Sequence, residues 1–246
     1  VKPNNILEML SRTVERFHDK DAFMWKENGH YEQMTYGVFW EKIQHFAFGL
    51  LHLGIKKDDK VAIISNSNPM WGISDFALAS IGAVSVPVYP TIPTEQVDYI
   101  INNTDVTAAI VEDEEQAEKL ANGRSELENI IIMYPEEDFL PPENYYAFSM
   151  VESLGKDHHI DSWEKNWSDF GRDDLLTIIN TSGTTGKPKG AMLTHGNILA
   201  NIEGVQFWLV ELLPEDVTLS YLPISHVFER LAGHYLPLSV GTTIGY

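Results

Sequence analysis

The 246-residue chain is 43% hydrophobic and 22% charged, contains no cysteine, and carries a formal net charge of −19. This is an ordinary globular composition, long enough to bury a sizeable core, and it excludes disulfides, thiolate metal sites and a cysteine nucleophile. The acidic excess repels phosphate and argues against a nucleic-acid partner, and no apolar run is long enough for a membrane-spanning helix.

The first residues, Val1-Lys2-Pro3-Asn4, are followed by no apolar signal segment, and the start at Val rather than Met leads us to expect further residues upstream. Over 35–53, apolar residues at Tyr36, Phe39, Trp40, Ile43, Phe46, Leu50 and Leu53 have the three-and-four spacing of an amphipathic helix, and Gly54 supplies its stop. Short apolar runs and helical segments then alternate. Strands are predicted at 61–64, 84–88, 108–111 and 130–133, and helices at 71–81, 95–103 and 114–122. This alternation predicts an α/β fold of mostly parallel sheets with helices on both faces. The acidic group Glu112-Asp113-Glu114-Glu115 reads as a helix N-terminus facing water, where negative charge is favoured, rather than as a metal site.

Residues 134–170 break the rhythm with Pro135-Glu136-Glu137-Asp138 and Pro141-Pro142-Glu143. One short helix is expected around 146–154, with an internal subdomain break within 134–174. Regular structure resumes with a buried strand at 175–180, a Gly-rich loop, a helix at 195–209, a strand at 217–221, a helix at 226–236 and a strand from 242 to 246. The chain stops inside that last strand, so the fold is expected to continue in a longer protein.

The loop Thr181-Ser182-Gly183-Thr184-Thr185-Gly186-Lys187-Pro188-Lys189-Gly190 is the most informative segment. Its glycines allow close backbone approach, and its hydroxyls, ammonium groups and backbone N–H groups can cradle a polyphosphate. A preceding strand and a following helix would set it at the carboxyl edge of a sheet, where α/β proteins bind ligands. A flexible surface turn is the bland alternative. A Walker A loop is not, because Gly186-Lys187 is followed by Pro188 and Thr181 stands where the first glycine should be.

All ten positions match the phosphate-loop signature of the adenylate-forming superfamily, Thr-Ser-Gly-Thr-Thr-Gly-x-Pro-Lys-Gly. Asp59-Lys60-Val61-Ala62-Ile63, Gly82-Ala83-Val84 and Pro87-Val88-Tyr89-Pro90 resemble that superfamily's N-terminal domain. A second motif, Tyr221-Leu222-Pro223-Ile224-Ser225-His226-Val227-Phe228-Glu229-Arg230, resembles long-chain fatty acyl-CoA synthetases in particular. The resemblance implies that 1–246 is an incomplete N-terminal domain of the acyl-CoA synthetase fold. It implies a fatty acid–CoA ligase using ATP and CoA as co-substrates and Mg²⁺ as cofactor, in a cytoplasmic location, free or peripheral to a membrane.

By the same resemblance, Ser182, Gly183, Thr184, Thr185 and Gly186 would bind the β- and γ-phosphates. Lys189 would neutralise phosphate charge, Thr181 would help hold Mg²⁺, His226 would orient the reacting carboxylate, and Arg230 would gate the acyl entrance. For His226, a helix-capping core histidine is the structural alternative. The family's later motifs, which supply adenine and ribose contacts and a catalytic lysine, have no counterpart within 1–246, so the isolated chain is expected to be inactive. Rival readings are a non-catalytic phosphate-binding or interaction module and another adenylate former such as a fatty acyl-AMP ligase. Cutting the fold at 246 is also expected to expose Leu236, Leu238 and Val240 and to drive self-association through that edge.

Overall fold

The computed structural model describes residues 2–27, 29–123, 127–137, 139, 142–156, 163–181, 188–208 and 212–246. The chain begins with α1 (Ile6–Phe17), β1 (Asp21–Glu27), β2 (His30–Thr35) and α2 (Tyr36–His52). The crossovers follow as β3 (Lys60–Ile64), α3 (Pro69–Ser80), β4 (Val84–Val88), α4 (Thr94–Asn103), β5 (Val106–Val111), α5 (Glu114–Ala121) and β6 (Asn129–Ile132). Then come β7 (Tyr145–Ala147), α6 (Phe148–Lys156), α7 (Trp163–Ser168), β8 (Leu175–Thr181), β9 (Lys189–Thr194) and α8 (His195–Trp208). The chain closes with β10 (Val217–Leu219), α9 (Val227–Glu229), a π-helical turn (Arg230–Tyr235), α10 (Leu236–Val240) and β11 (Thr243–Gly245).

Short polar side chains start the helices. Asn5, Thr35, Asn68 and Asp113 each accept a hydrogen bond from a backbone N–H in the first turn of α1, α2, α3 and α5, which satisfies a donor the helix cannot satisfy itself. Asn68 with Pro69 behind it starts α3 two residues before the predicted position, since proline is preorganised for a first helical turn. Gly54, in a left-handed conformation at φ +87°, ends α2 as its sequence position suggests. Asp113 is the cap in the acidic group, whose neighbours Glu114 and Glu115 fall in the first turn of α5.

Seven strands form one sheet in the order β7-β6-β5-β3-β4-β8-β9, parallel except for the antiparallel pair β8 and β9. Its inner strands β3, β4, β5 and β6 are buried on both sides because both sides are covered. Along β3, Val61 and Ile63 enter one core, with residues of α1, α2, α3 and α6. Ala62 and Ile64 enter the other core, with residues of α4 and α5. Helices on both faces of a mostly parallel sheet are thus the observed architecture. The pair β4–β8 joins the two sides of the segment 134–174. A second sheet has the order β10-β11-β1-β2.

Three expectations need correction. The loop after β8 leads into a strand, β9, not directly into a helix. Four of that strand's six residues are exposed at the sheet edge, so no buried alternation marks it. The helix expected at 226–236 is instead α9, the π-helical turn and α10 in succession. The wide turn lets Arg230 and Tyr235 both reach Asp75 of α3. Of the apolar residues near the C-terminus, Leu236 and Leu238 are buried within this chain's own core and Val240 is half-buried, and β11 lies between β10 and β1 rather than at an edge. Among the described residues, no helix is long and apolar enough to cross a membrane.

Candidate functional site

At the carboxyl ends of β4 and β8, a cavity of about 400 Å³ is lined by Tyr89, Ile179, Asn180, Thr181, His226 and Val227. This is the end of a parallel sheet at which α/β folds place ligands. A second cavity, of about 210 Å³ near α1 and α8, contains none of the motif residues. The two motifs, far apart in sequence, therefore meet: Thr181 ends β8, and His226 arrives from the segment before α9.

Local bonds hold that segment in place. The Ser67 hydroxyl donates to the Leu222 carbonyl at 3.2 Å and accepts from the Ile224 N–H at 3.1 Å. The Ser225 hydroxyl donates to the Val88 carbonyl, the last residue of β4, at 3.3 Å. Ser220 donates to the buried Glu229 carboxylate at 2.7 Å. His226 is exposed, and its Nδ1 accepts from the Phe228 N–H at 3.1 Å. A neutral imidazole that accepts at Nδ1 carries its proton on Nε2. The helix-capping alternative and the functional one are thus compatible in one side chain: Nδ1 caps, while Nε2–H is the ring's remaining donor.

Thr181 faces Lys189 across the β8–β9 hairpin, and its hydroxyl donates to the Lys189 carbonyl at 3.4 Å. Lys189 is exposed, and none of the described acidic side chains pairs with it. Gly190 is a packing requirement, because a Cβ there would stand 2.6 Å from Ile178 Cγ2. Burial pushes the Tyr89 phenol up, which keeps it neutral. Ser182, Gly183, Thr184, Thr185 and Gly186 lie outside the described residues.

Arg230, expected at an acyl entrance, is instead only 1% exposed. Its guanidinium pairs with the Asp75 carboxylate and donates to Ser85 Oγ at 2.8 Å, Thr177 Oγ1 at 2.7 Å and Tyr235 Oη at 3.1 Å. Burial opposes its charge, but Asp75 and Tyr235 hold it, so the guanidinium's pKa is raised. In this position it joins α3, β4 and β8. The sequence reading missed this cluster, and it also missed Asn180 and Tyr89 as cavity-lining residues. The one local signal was Asn180 itself, a polar residue closing an apolar strand.

For Mg²⁺, the cavity lining offers the Thr181 hydroxyl, the Tyr89 phenol and the Asn180 carboxamide, and no carboxylate. Among the described residues, no group of three or more His, Asp or Glu side chains could hold a metal ion. The donor set fits a magnesium ion that arrives on a polyphosphate and takes most of its oxygens from phosphate and water.

A doubly covered, mostly parallel sheet with a cavity at its carboxyl edge defines the class of α/β proteins that place ligands at that end of the sheet. Residues 10–246 match the sequence model of the AMP-binding enzyme family, and the chain belongs to that family. It is 33% identical to long-chain-fatty-acid–CoA ligase 5 of Rattus norvegicus, over 90% of this chain and 34% of that protein. It is 31% identical to fatty acyl-CoA synthetase A of Dictyostelium discoideum, over 89% of this chain and 33% of that protein. The chain therefore spans about a third of the length of these relatives. Among solved structures, the anthranilate CoA ligase AuaEII in complex with anthranoyl-AMP superposes with a TM-score of 0.84. It shares 20% identity, with 98% of this chain and 44% of that one covered.

Proposed function

We propose that this chain is the nucleotide-binding N-terminal part of a long-chain fatty acid–CoA ligase. The observation that carries the reading is the convergence of the two motifs, Thr181 and His226, on one cavity at the sheet's carboxyl edge. In the first step a fatty-acid carboxylate oxygen bonds to the α-phosphorus of ATP. The bond from that phosphorus to the bridging oxygen breaks, and pyrophosphate leaves. In the second step the sulfur of CoA bonds to the acyl carbon, AMP leaves, and the thiol proton passes to solvent. Such chemistry needs positioning and charge neutralisation more than protein nucleophiles.

In this reading Lys189 and the loop residues 182–186 take the β- and γ-phosphates, and Thr181 Oγ1 is one ligand of the ATP-bound Mg²⁺. His226 Nε2–H donates to the reacting carboxylate. Adenine contacts, the second domain and the lysine that promotes adenylation come from outside 1–246, so the isolated chain forms no thioester.

The test is carboxylate-dependent ATP–pyrophosphate exchange by the protein at its natural length. Long-chain fatty acids are expected to drive exchange, and added CoA to yield the thioester. Exchange driven only by amino acids or short acids overturns the substrate class. Acyl-adenylate without thioester moves the protein to the acyl-AMP ligases. A smaller change tests one residue: Lys189→Ala is expected to weaken Mg–ATP binding about tenfold while stability changes by no more than about 0.5 kcal/mol, as for an ordinary surface position. Unchanged ATP affinity in that variant removes Lys189 from the phosphate site.

A further inference from the structure

Asn180 is out of keeping with the chain's other enclosed asparagines. Asn5 donates from Nδ2 to the Trp167 and Phe170 carbonyls and accepts at Oδ1 from the Glu8 N–H. Asn68 donates to Ser65 Oγ and accepts from the Trp71 N–H, and Asn129 donates to the Leu53 carbonyl. In Asn180, both Nδ2 and Oδ1 are enclosed and neither has a partner. Among the described residues, the other unpartnered buried groups are ring atoms of Trp71, Trp167 and His234 and the hydroxyl of Tyr246. Those belong to large aromatic side chains whose apolar burial offsets a lost hydrogen bond. A carboxamide has no such compensation, and a native fold rarely leaves both of its ends unmade.

Its place is equally specific. Asn180 closes the run Leu175-Leu176-Thr177-Ile178-Ile179 in the strand that leads to the hydroxyl- and lysine-bearing hairpin, and it lines the same cavity as Thr181 and His226. Its backbone pairs with Gly190, and Oδ1 lies 3.9 Å from where a Cβ on that glycine would stand. Among the described residues, no other polar group takes up the amide. In the ligase reading, the cavity in which it sits is the one that takes the anionic substrate.

We propose that the Asn180 carboxamide is a ligand-contacting group: its Nδ2–H donates to an anionic oxygen of the substrate held in this cavity. The proposal rests on the reading above, which supplies two sources of such an oxygen, a phosphate of ATP and the carboxylate of a fatty acid.

Two variants of near-equal size test it in the protein at its natural length. Asn180→Leu removes both polar ends. Asn180→Asp keeps the shape and the acceptor but replaces the donor with negative charge. Binding of Mg–ATP and of palmitate is measured separately by calorimetry, with thermal melting of each ligand-free protein. The Leu variant is expected to melt at or above the unsubstituted protein, because it buries no unmade hydrogen bond, yet to bind one of the ligands about tenfold more weakly. The Asp variant is expected to lose about 100-fold for that same ligand, because like charges then face each other. Loss confined to Mg–ATP identifies a phosphate oxygen, and loss confined to palmitate a carboxylate oxygen.

A purely structural amide predicts the reverse: a clear drop in the melting temperature of the Leu variant, which overturns the proposal. Unchanged affinity for both ligands in both variants overturns it as well and leaves the ligase reading intact. If the unsubstituted protein binds neither ligand, the ligase reading fails, and the assignment of Asn180 falls with it.

Discussion

Arg230→Ala is expected to cost about 3–5 kcal/mol of folding stability, because it strands a buried carboxylate without its cation. Asp75 is 0% exposed and keeps only neutral partners in that variant, Ser85 Oγ at 3.0 Å and Tyr235 Oη at 2.5 Å. Thr177 and Ser85 also lose the donors that tie β8 and β4 to the π-helical turn. Arg230→Lys is expected to recover only part of the loss. One ammonium cannot reproduce a planar fork that serves Asp75, Ser85, Thr177 and Tyr235 at once. Removing both charges together, as Asp75→Leu with Arg230→Met, is expected to be milder than Arg230→Ala alone, since the desolvation of two ions disappears with their attraction. Urea denaturation of the single and paired variants measures this. An Arg230→Ala midpoint within error of the unsubstituted chain would show that the pair is not holding the interior.

That pair also marks where sequence reading stopped. Its two residues are 155 positions apart, and nothing local to either announces the other. The crossovers between 54 and 133 were legible because each strand is an apolar run and most of the helices carry a polar cap, both of which are local signals. The edge strand β9 was not, because a strand with one exposed side and no buried alternation looks like loop. Residues 1–34 were given no elements. Helix α1 has the right spacing in Ile6, Leu7, Leu10 and Val14, all buried, whereas β2 is exposed along most of its length. Long-range placement escaped in the same way. Leu236 and Leu238 read as surface at a cut edge, yet they pack inside. Among the apolar residues that do face solvent are Val217 and Leu219 on the edge strand β10, and Tyr221 just beyond it. Of the candidate site, Thr181 and His226 were legible as residue types in motifs, while their shared cavity with Tyr89 and Asn180 exists only after folding.

Stability is expected to fall steeply as the pH drops from about 6.5 towards 4, because the fold encloses two neutral histidines. His234 is 0% exposed, caged by Phe23, Trp71 and Phe76, with both ring nitrogens unpartnered. Burial pushes its pKa down to about 4; Asp75 opposes that shift and Arg230 adds to it. His195, at the start of α8, is 2% exposed and accepts at Nδ1 from the Ile6 N–H at 3.3 Å. Burial pushes it down to about 4 as well, against Asp174 and Asp75. In the unfolded chain both titrate near the ordinary value of about 6.5. Between those two pH values the unfolded state binds more protons than the folded one, so stability rises with pH across the window. The contribution is complete above about pH 6.5 and is lost as pH falls to the folded values. Each histidine supplies a slope of up to about 1.4 kcal/mol per pH unit. Two of them together consume much of a stability of about 5–15 kcal/mol before pH 4 is reached. Urea midpoints at pH 7.5, 6.0 and 5.0 read this out. His234→Leu is expected to remove about half of the slope with little loss at pH 7.5, since His234 gives up no hydrogen bond. His195→Asn, which keeps an acceptor for Ile6, is expected to remove most of the rest. A slope unchanged by both substitutions would assign the acid sensitivity to carboxylates instead, and the buried imidazoles would then have no part in it.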